Sequence, residues 1–336
     1  MTIQAMGAHG RVVMEFEESP GVENSEHKKG IKINFISANV QAQQNQNTSN
    51  VITGNRNPSE PYRGNIDVQG DVEVPLDTAQ IGMFLKAAFG APETSSAGGD
   101  NKYKHVFKLS QDMPSFTWEQ GFQDIGVYKK YIGCKISKLS FSFGGDNELT
   151  AQTTIMGVKE VDGEGSSMQA DAPTLVGNKL QFDQVTFKED GSESNLGTDF
   201  SLDIDFGLDG DTYAIGGKGY RSFINDGITT VTGSLKAFFV DNTVIEKAEK
   251  GTPTKLEIGI INSEESLTII LPEVVYQRNT PGISGPEGVY IEMDYGAFYK
   301  ENENETAVQI ELVNKIASYD IPAVESTSMM SSQKLM

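Results

Sequence analysis

The sequence predicts a mainly β protein made of two tandem antiparallel β-sandwich or barrel units, each with one short flanking helix. Apolar and polar residues alternate in many short segments, which is typical of half-buried strands. Clusters of Gly, Asn and Asp separate these segments, as hairpin turns require. One pattern of strand, stop and helix also occurs twice. We therefore expect a first unit over residues 1–160, a second over 161–320, and a C-terminal tail over 321–336.

The clearer copy of the pattern runs from Tyr62 to Gly90. Pro75 ends its strand because proline has no N–H for the sheet. Asp77 is placed as the N-cap of a helix over Thr78–Phe89, which carries one apolar face and ends at Gly90. The alternation predicts that Ile66, Val68, Val72 and Val74 face the core, and that Asn65, Asp67, Gln69, Asp71 and Glu73 face water. The glycine at the centre of the strand, Gly70, is interpreted as a bulge.

The weaker copy begins at Gly227. Its strand contains Gly233, a capping Asp241 follows eight residues later, and a short polar helix ends at Gly251. Between the copies, residues 159–174 are rich in Gly, Ser and acidic residues, and this composition marks the domain boundary. The tail after residue 317 is rich in Met and Ser, and we expect it to be mobile.

A long polar segment over residues 38–57 is rich in Asn and Gln. Such a connection contributes little to a core, and within a compact domain it is usually functional or disordered. We favour a projecting hairpin or loop that becomes ordered against a partner, with plain disorder as the alternative. The residues that would make this contact are Asn39, Gln41, Gln43, Gln44, Asn45, Asn47, Asn55 and Arg56.

Composition narrows the classes of function. The 336 residues carry a net charge of −20, so the excess of Lys and Arg needed to bind nucleic-acid phosphates or an anionic membrane is missing. A single cysteine, Cys134, allows no intrachain disulfide. The first residues contain no apolar stretch of signal-peptide length, so the expected compartment resembles a cytosol.

The search for chemistry predicts no enzyme, no cofactor and no metal. His9, His27 and His105 are far apart and lie in no metal-binding or catalytic motif. A run of aspartates, which includes Asp203 and Asp205, alternates with apolar residues and is interpreted as the water face of a strand rather than a calcium loop. The carboxylate pair of a glycosidase stays open, since only the fold sets such partners. These features favour an assembly subunit.

Four segments resemble the tail tube (major tail) proteins of long-tailed bacteriophages. They are residues 64–90, PSFTWEQGFQDIGVYKKYIGCKISKLSFSF with the hairpin that ends at Gly157, DGITTVTGSLKAFFVD, and LTIILPEVVYQRNTPGISGPEGVYIEMDYGAFY. Together they cover most of residues 60–300 in the order that the family uses.

The resemblance implies rings that stack into a tube, through which double-stranded DNA passes from capsid to host without specific binding. The expected partners are copies of this chain and other tail proteins, with no membrane. The location is the virion tail after assembly in the host bacterial cytoplasm. An acidic lumen would repel DNA phosphates, with Asp67, Asp71 and Glu73 as candidate water- or lumen-facing acids. The polar segment 38–57 would contact neighbouring subunits or rings.

Two tube-like units in one chain favour a trimeric ring with pseudo-sixfold symmetry. A hexamer with the second unit outside is the runner-up, because the second helix is weaker than the first. The alternative functions are another tail component of the same fold (baseplate, tail tip or tail terminator) and an adhesive or carbohydrate-binding β-sandwich.

Overall fold

A computed structural model describes residues 4–99, 101–146, 148–163, 165–283, 285–301 and 305–320. The predicted tail 321–336 lies outside the described residues, whereas residues 317–320, which we also expected to be mobile, are described and bury Tyr319 in the core. Strands dominate, as predicted, and two short α-helices are present in the described part of the chain. The strands are β1 Gly10–Phe16, β2 Ile31–Ile33, β3 Ser37–Ala38, β4 Gln41–Asn47, β5 Tyr62–Pro75, β6 Glu93–Ser96, β7 Tyr103–Lys108, β8 Phe116–Phe122, β9 Val127–Gly144, β10 Thr150–Gly157, β11 Lys159–Asp162, β12 Val185–Glu189, β13 Ser192–Glu193, β14 Gly197–Asp205, β15 Thr230–Phe238, β16 Thr254–Asn262, β17 Glu265–Tyr276, β18 Tyr290–Ala297 and β19 Gln309–Asn314. The helices are α1 Ile81–Phe89 and α2 Thr243–Lys250.

One antiparallel sheet runs through the middle of the molecule, and we call it the central sheet. Its strand order is β4, β5, β10, β9, β14, β15, β18 and the end of β17. The pairing of β9 with β14 joins strands from the two halves of the sequence. The sheet does not close into a barrel within the described residues.

Most of the remaining strands extend from two long strands of the central sheet, β9 and β17. The first part of β9 pairs with β8 and β11, and β8 continues to β1 and β2. The first part of β17 pairs with β16 and β19, which continue to β12 and β7. These strands cover the apolar face of the central sheet and enclose the core between the layers, as in a β-sandwich.

Burial along β5 follows the predicted alternation with one exception. Val68, Val72 and Val74 are fully buried, whereas Ile66 is only half-buried. The reason is the length of the neighbouring strand, because β10 ends at Gly157 opposite Val68. Ile66 therefore lies in the part of β5 that extends beyond the end of β10.

Helix α1 differs from its prediction in two respects. It begins at Ile81 rather than Thr78, because Asp77 accepts hydrogen bonds from the backbone N–H groups of Ala79 and Gln80 and so caps a turn that precedes the helix. All nine helical residues are buried, rather than one face. The cover on the other side comes from the C-terminal segment, where Tyr319 packs on Gly82. In contrast, only Ile245 of α2 is buried.

The interpretation of Gly70 as a bulge is wrong. The register between β5 and β10 passes through Gly70 without a shift. A Cβ at this position would lie 2.1 Å from the carbonyl oxygen of Asn39, so the backbone of the residues before β4 approaches too closely for any side chain.

Candidate functional site

The outer face of the central sheet is polar, and we call it the acidic face. Since side chains alternate along each strand, every strand that buries apolar residues on one side presents polar residues on the other. The acids on this face are Asp67, Asp71 and Glu73 of β5, Asp199, Asp203 and Asp205 of β14, and Glu292 and Asp294 of β18. Short polar residues of β10, β9 and β15 lie between them, and both halves of the sequence contribute.

The charge of the acidic face is negative because its acids outnumber its lysines, and Lys138 and Lys236 are each paired with an acid. The ammonium nitrogen of Lys138 lies 3.1 Å from a carboxylate oxygen of Asp205, and that of Lys236 lies 3.8 Å from Asp199. Asp203 accepts a hydrogen bond of 2.6 Å from the hydroxyl of Ser140. A surface of this kind repels polyanions and attracts their counterions.

The three acids predicted from β5 lie next to one another on this face. Asp71 is exposed and accepts a hydrogen bond of 2.6 Å from the hydroxyl of Thr154 on β10. Asp67 is half-exposed and pairs with the buried guanidinium group of Arg221. Glu73 is half-buried, opposite Ser37 of β3. Their orientation toward a lumen stays a prediction.

The polar segment 38–57 lies in a β-hairpin formed by β4 and β5, with residues 48–61 between the strands. Asn39 precedes β4, whereas Asn55 and Arg56 lie in the connection. The candidate contact residues on β4 are Gln41, Gln43, Gln44, Asn45 and Asn47. All of the candidate residues are exposed except Asn47, which is half-buried. Their role in contacts between subunits stays a prediction.

The outer edge of β4 is open. Among the described strands, β4 pairs with β5 alone. The N–H of Asn39 donates to Asp71 on β5, whereas the N–H and C=O of Val40 are bonded by the side-chain amide of Gln120 on the other side. Backbone groups of successive residues point to opposite sides of a strand, so those of Ala42 point outward as well. An open edge is a template for another strand.

Sequence reasoning missed the junction that makes the acidic face continuous. The pairing of β9 with β14 places Ser140 opposite Asp203 and Lys138 opposite Asp205. The alternation of acids with Phe200, Leu202 and Ile204 did indicate the water face of β14. It could not indicate which strand lies beside β14, because periodicity carries no information about the partner.

The histidines have structural partners. The two ring nitrogens of His27 lie 2.6 Å from Glu15 and 3.1 Å from Glu23. His105 is buried, where desolvation lowers its pKa, and its Nε2 lies 2.8 Å from the carbonyl oxygen of Ile316. The described residues contain no group of three or more His, Cys, Asp or Glu side chains that could hold a metal ion. In the same part of the chain, no helix has the length and apolarity to cross a membrane.

A sheet with a buried face, an acidic face and an open edge is typical of a subunit that completes its sheet against a neighbour. The family model of the phage tail tube protein matches residues 7–297. The chain therefore belongs to the phage tail tube protein family and is a component of the virion tail. The match confirms the resemblance seen over residues 60–300 and extends it toward the N-terminus. No curated protein matches the chain.

Proposed function

We propose that three copies of this chain form a ring, that the rings stack into the tail tube, and that the acidic face lines the channel for double-stranded DNA. The observation that carries the proposal is the central sheet, in which both halves of the chain contribute to one uninterrupted acidic face. The negative charge would keep the duplex from adhering to the wall. In this proposal the chain performs no catalysis and binds no cofactor.

The strand pairings support a chain of two similar units, 1–160 and 161–320. In the first unit the order is β4, β5, β10 and β9, and α1 follows β5. In the second unit the order is β14, β15, β18 and β17, and α2 follows β15. The central glycines also correspond, since Gly70 lies opposite Ile155 of β10 and Gly233 lies opposite Tyr295 of β18.

The width of the resulting barrel favours three chains. With eight strands from each chain, a spacing of about 4.8 Å and a tilt of about 40°, a closed barrel of three chains has a backbone diameter of about 48 Å. Side chains occupy roughly 5 Å on each wall, which leaves a bore of about 40 Å for one hydrated duplex. Six chains with all strands inside would give a diameter of about 95 Å, so a hexamer requires that the second unit lie outside the channel wall.

Ring closure follows from the correspondence of the units. Within the chain, β9 of the first unit pairs with β14 of the second. The equivalent strands are β17 and β4, so we propose that β4 of one subunit pairs beside β17 of the next. This contact would cover the open edge of β4, which a closed barrel requires.

Electron microscopy of the purified protein tests the proposal. We expect hollow tubes or stacked rings with threefold symmetry and six similar lobes. Rings with six copies of the chain would support the hexamer instead. Rings that never stack would favour a baseplate, tail-tip or terminator component, and a protein that stays monomeric at all concentrations would overturn the tube proposal.

A further inference from the structure

The central sheet contains two hairpins, one formed by β4 and β5 and the other by β14 and β15. They correspond up to the last residue pair that joins the two arms of each hairpin. In the first hairpin, β4 and β5 pair as far as Asn47 opposite Tyr62. In the second, the connection after β14 pairs Asp209 with Asn225, which is the same position relative to the central glycine. The connections beyond these pairs are of similar length, and we call residues 48–61 the first tip and residues 210–224 the second tip.

The second tip is fastened to the first unit of its own chain. The N–H of Ile66 donates to the carbonyl oxygen of Gly219 at 2.8 Å. The guanidinium group of Arg221 donates to the carbonyl oxygens of Val68 and Gly157, at 3.3 and 3.1 Å. The second tip therefore lies across the start of β5, at the place where β10 has ended.

Among the described residues, no tip segment is hydrogen-bonded to the equivalent place in the second unit. When the units are aligned on their central glycines, Gly70 and Gly233, the residues that correspond to Ile66, Val68 and Gly157 are Thr229, Val231 and Ala297. Beside them the side chain of Ile228 is 92% exposed. A partner that covered this aliphatic side chain would remove its apolar surface from water.

No such contact joins the first tip to another of the described parts of its chain. Residues 50–58 are all exposed, and Val51 and Ile52 have relative exposures of 66% and 95%. Arg56 is the only basic residue of the first tip. The first tip thus carries a guanidinium group, like the one with which the second tip binds β5. It also carries apolar side chains that could cover Ile228.

We propose that the first tip of each subunit lies across the start of β15 in the adjacent subunit of the same ring. Val51 and Ile52 cover Ile228, and Arg56 donates to the carbonyl oxygens of Val231 and Ala297. The direction of the contact follows from the order of strands in the sheet. Within one chain, β14 pairs beside β9, and this pairing brings the second tip to β5. In the proposed ring, β4 pairs beside β17 of the neighbour, and this pairing would bring the first tip to β15 of that neighbour. The inference rests on the proposed ring.

Cysteine crosslinking of the full chain tests this contact. The double variant Ile52→Cys with Ile228→Cys is oxidised or treated with a short bismaleimide, both as unstacked rings and as tubes. We expect the monomer band to shift to dimers and trimers in unstacked rings. Cys134 is fully buried and serves as the internal background, measured in the unsubstituted chain.

The matched control pairs Ile52→Cys with Val176→Cys. Val176 is 85% exposed but precedes residues 178–180, which bond to Leu76 and Thr78 at the opposite end of β5. We expect no band shift for this pair. Melting temperatures of the single variants show whether each one folds.

The outcomes separate the two proposals. Absence of rings by electron microscopy contradicts the proposed function itself. Rings without a crosslink between positions 52 and 228 overturn the inference alone. A crosslink that appears in tubes and not in unstacked rings also overturns it, because the first tip would then contact the next ring.

Discussion

At the scale of single residues, His27 fastens the segment after β1 to the sheet. Its Nδ1 lies 2.6 Å from Glu15, which is fully buried on β1, and its Nε2 lies 3.1 Å from Glu23. Glu23 in turn pairs with Lys130 on β9. The hydrogen bond to Glu15, the charge of Glu15 and the hydrogen bond to Glu23 raise the pKa of His27 above its ordinary value of 6.5, against the opposite effects of desolvation and of the Lys130 charge.

This raised pKa predicts a loss of stability as the pH rises above the ordinary pKa of histidine. A group whose pKa is higher in the folded state stabilises fully below its unfolded pKa, and the contribution disappears as the pH rises through the folded pKa. We therefore expect the melting temperature to fall as the pH rises above 6.5. In His27→Gln, this part of the pH dependence should be absent, whereas His9→Gln, at an exposed position, should keep it. Parallel pH profiles for His27→Gln and the unsubstituted chain would contradict the assignment.

The aromatic ring of Tyr319 packs on Gly82 and leaves no room for a side chain at this position. A Cβ at Gly82 would lie 2.0 Å from Cζ of Tyr319, whose hydroxyl donates to the carbonyl oxygen of Ala79. We expect Gly82→Ala to lower the free energy of unfolding by about 1–3 kcal/mol through overpacking, although alanine is the better helix former. In the Tyr319→Ala background the same change should instead stabilise by about 0.5–1 kcal/mol. Denaturant unfolding of the four chains measures the coupling, and additive effects would exclude this contact.

At the scale of elements, the outer edge of β4 separates folding from assembly. The N–H of Asn39 points toward β5 and that of Val40 away from it, so alternation directs the N–H of Ala42 away from β5 and that of Gln43 toward it. We expect Ala42→Pro to leave the melting temperature nearly unchanged and to abolish ring formation. Gln43→Pro should lower the free energy of unfolding by about 0.5–1.5 kcal/mol through loss of a hydrogen bond to β5. Sedimentation and electron microscopy measure assembly, and normal rings from a folded Ala42→Pro variant would exclude β4 as the joining edge.

The elements also show which parts of the fold the sequence determines locally. Alternation predicts β5 because burial of Val68, Val72 and Val74 depends only on their spacing along one strand. The all-round burial of α1 was not predictable, because part of its cover is Tyr319, more than 200 residues away in the sequence. Gly70 was misinterpreted for the same reason, since the obstacle to a side chain is the backbone of Asn39 on another segment.

The candidate site divides in the same way. The acids of β5 and β14 are recognisable from alternation, and their strands place them on one face. The continuity of that face depends on the pairing of β9 with β14, which joins positions about 60 residues apart. The open edge of β4 likewise depends on which strands are absent from its outer side, and no local pattern encodes that.

At the scale of the whole molecule, the charge of the acidic face predicts how the tube treats DNA. We expect Asp71→Lys with Asp203→Lys to leave assembly intact, because both side chains point away from the core. Tubes of this variant should bind duplex DNA at low salt and release it at high salt, and phage that carry them should deliver the genome more slowly. Cosedimentation of tubes with DNA across a salt series measures the first effect.

Glu246→Lys is the matched control, because Glu246 lies on α2, which packs on the other side of the central sheet. It changes the net charge by the same amount per substitution and should not cause DNA binding in the channel. Unchanged genome delivery by the double variant would count against repulsion as the function of the acids.

The pairing of β9 with β14 has a further consequence for how a ring of three would be assembled. Of the six junctions between units in such a ring, three form within a single chain as it folds, and their effective concentration is set by the linker rather than by the supply of subunits. Only the other three depend on encounters between separate molecules. The edge of a chain that pairs with another chain must stay soluble before pairing and must pair without repulsion afterwards. The uncharged Gln and Asn side chains of β4 meet both conditions, since they are well hydrated before pairing and bring no like charges together afterwards. Selection on solubility before assembly would therefore act on one copy of the hairpin and spare the other.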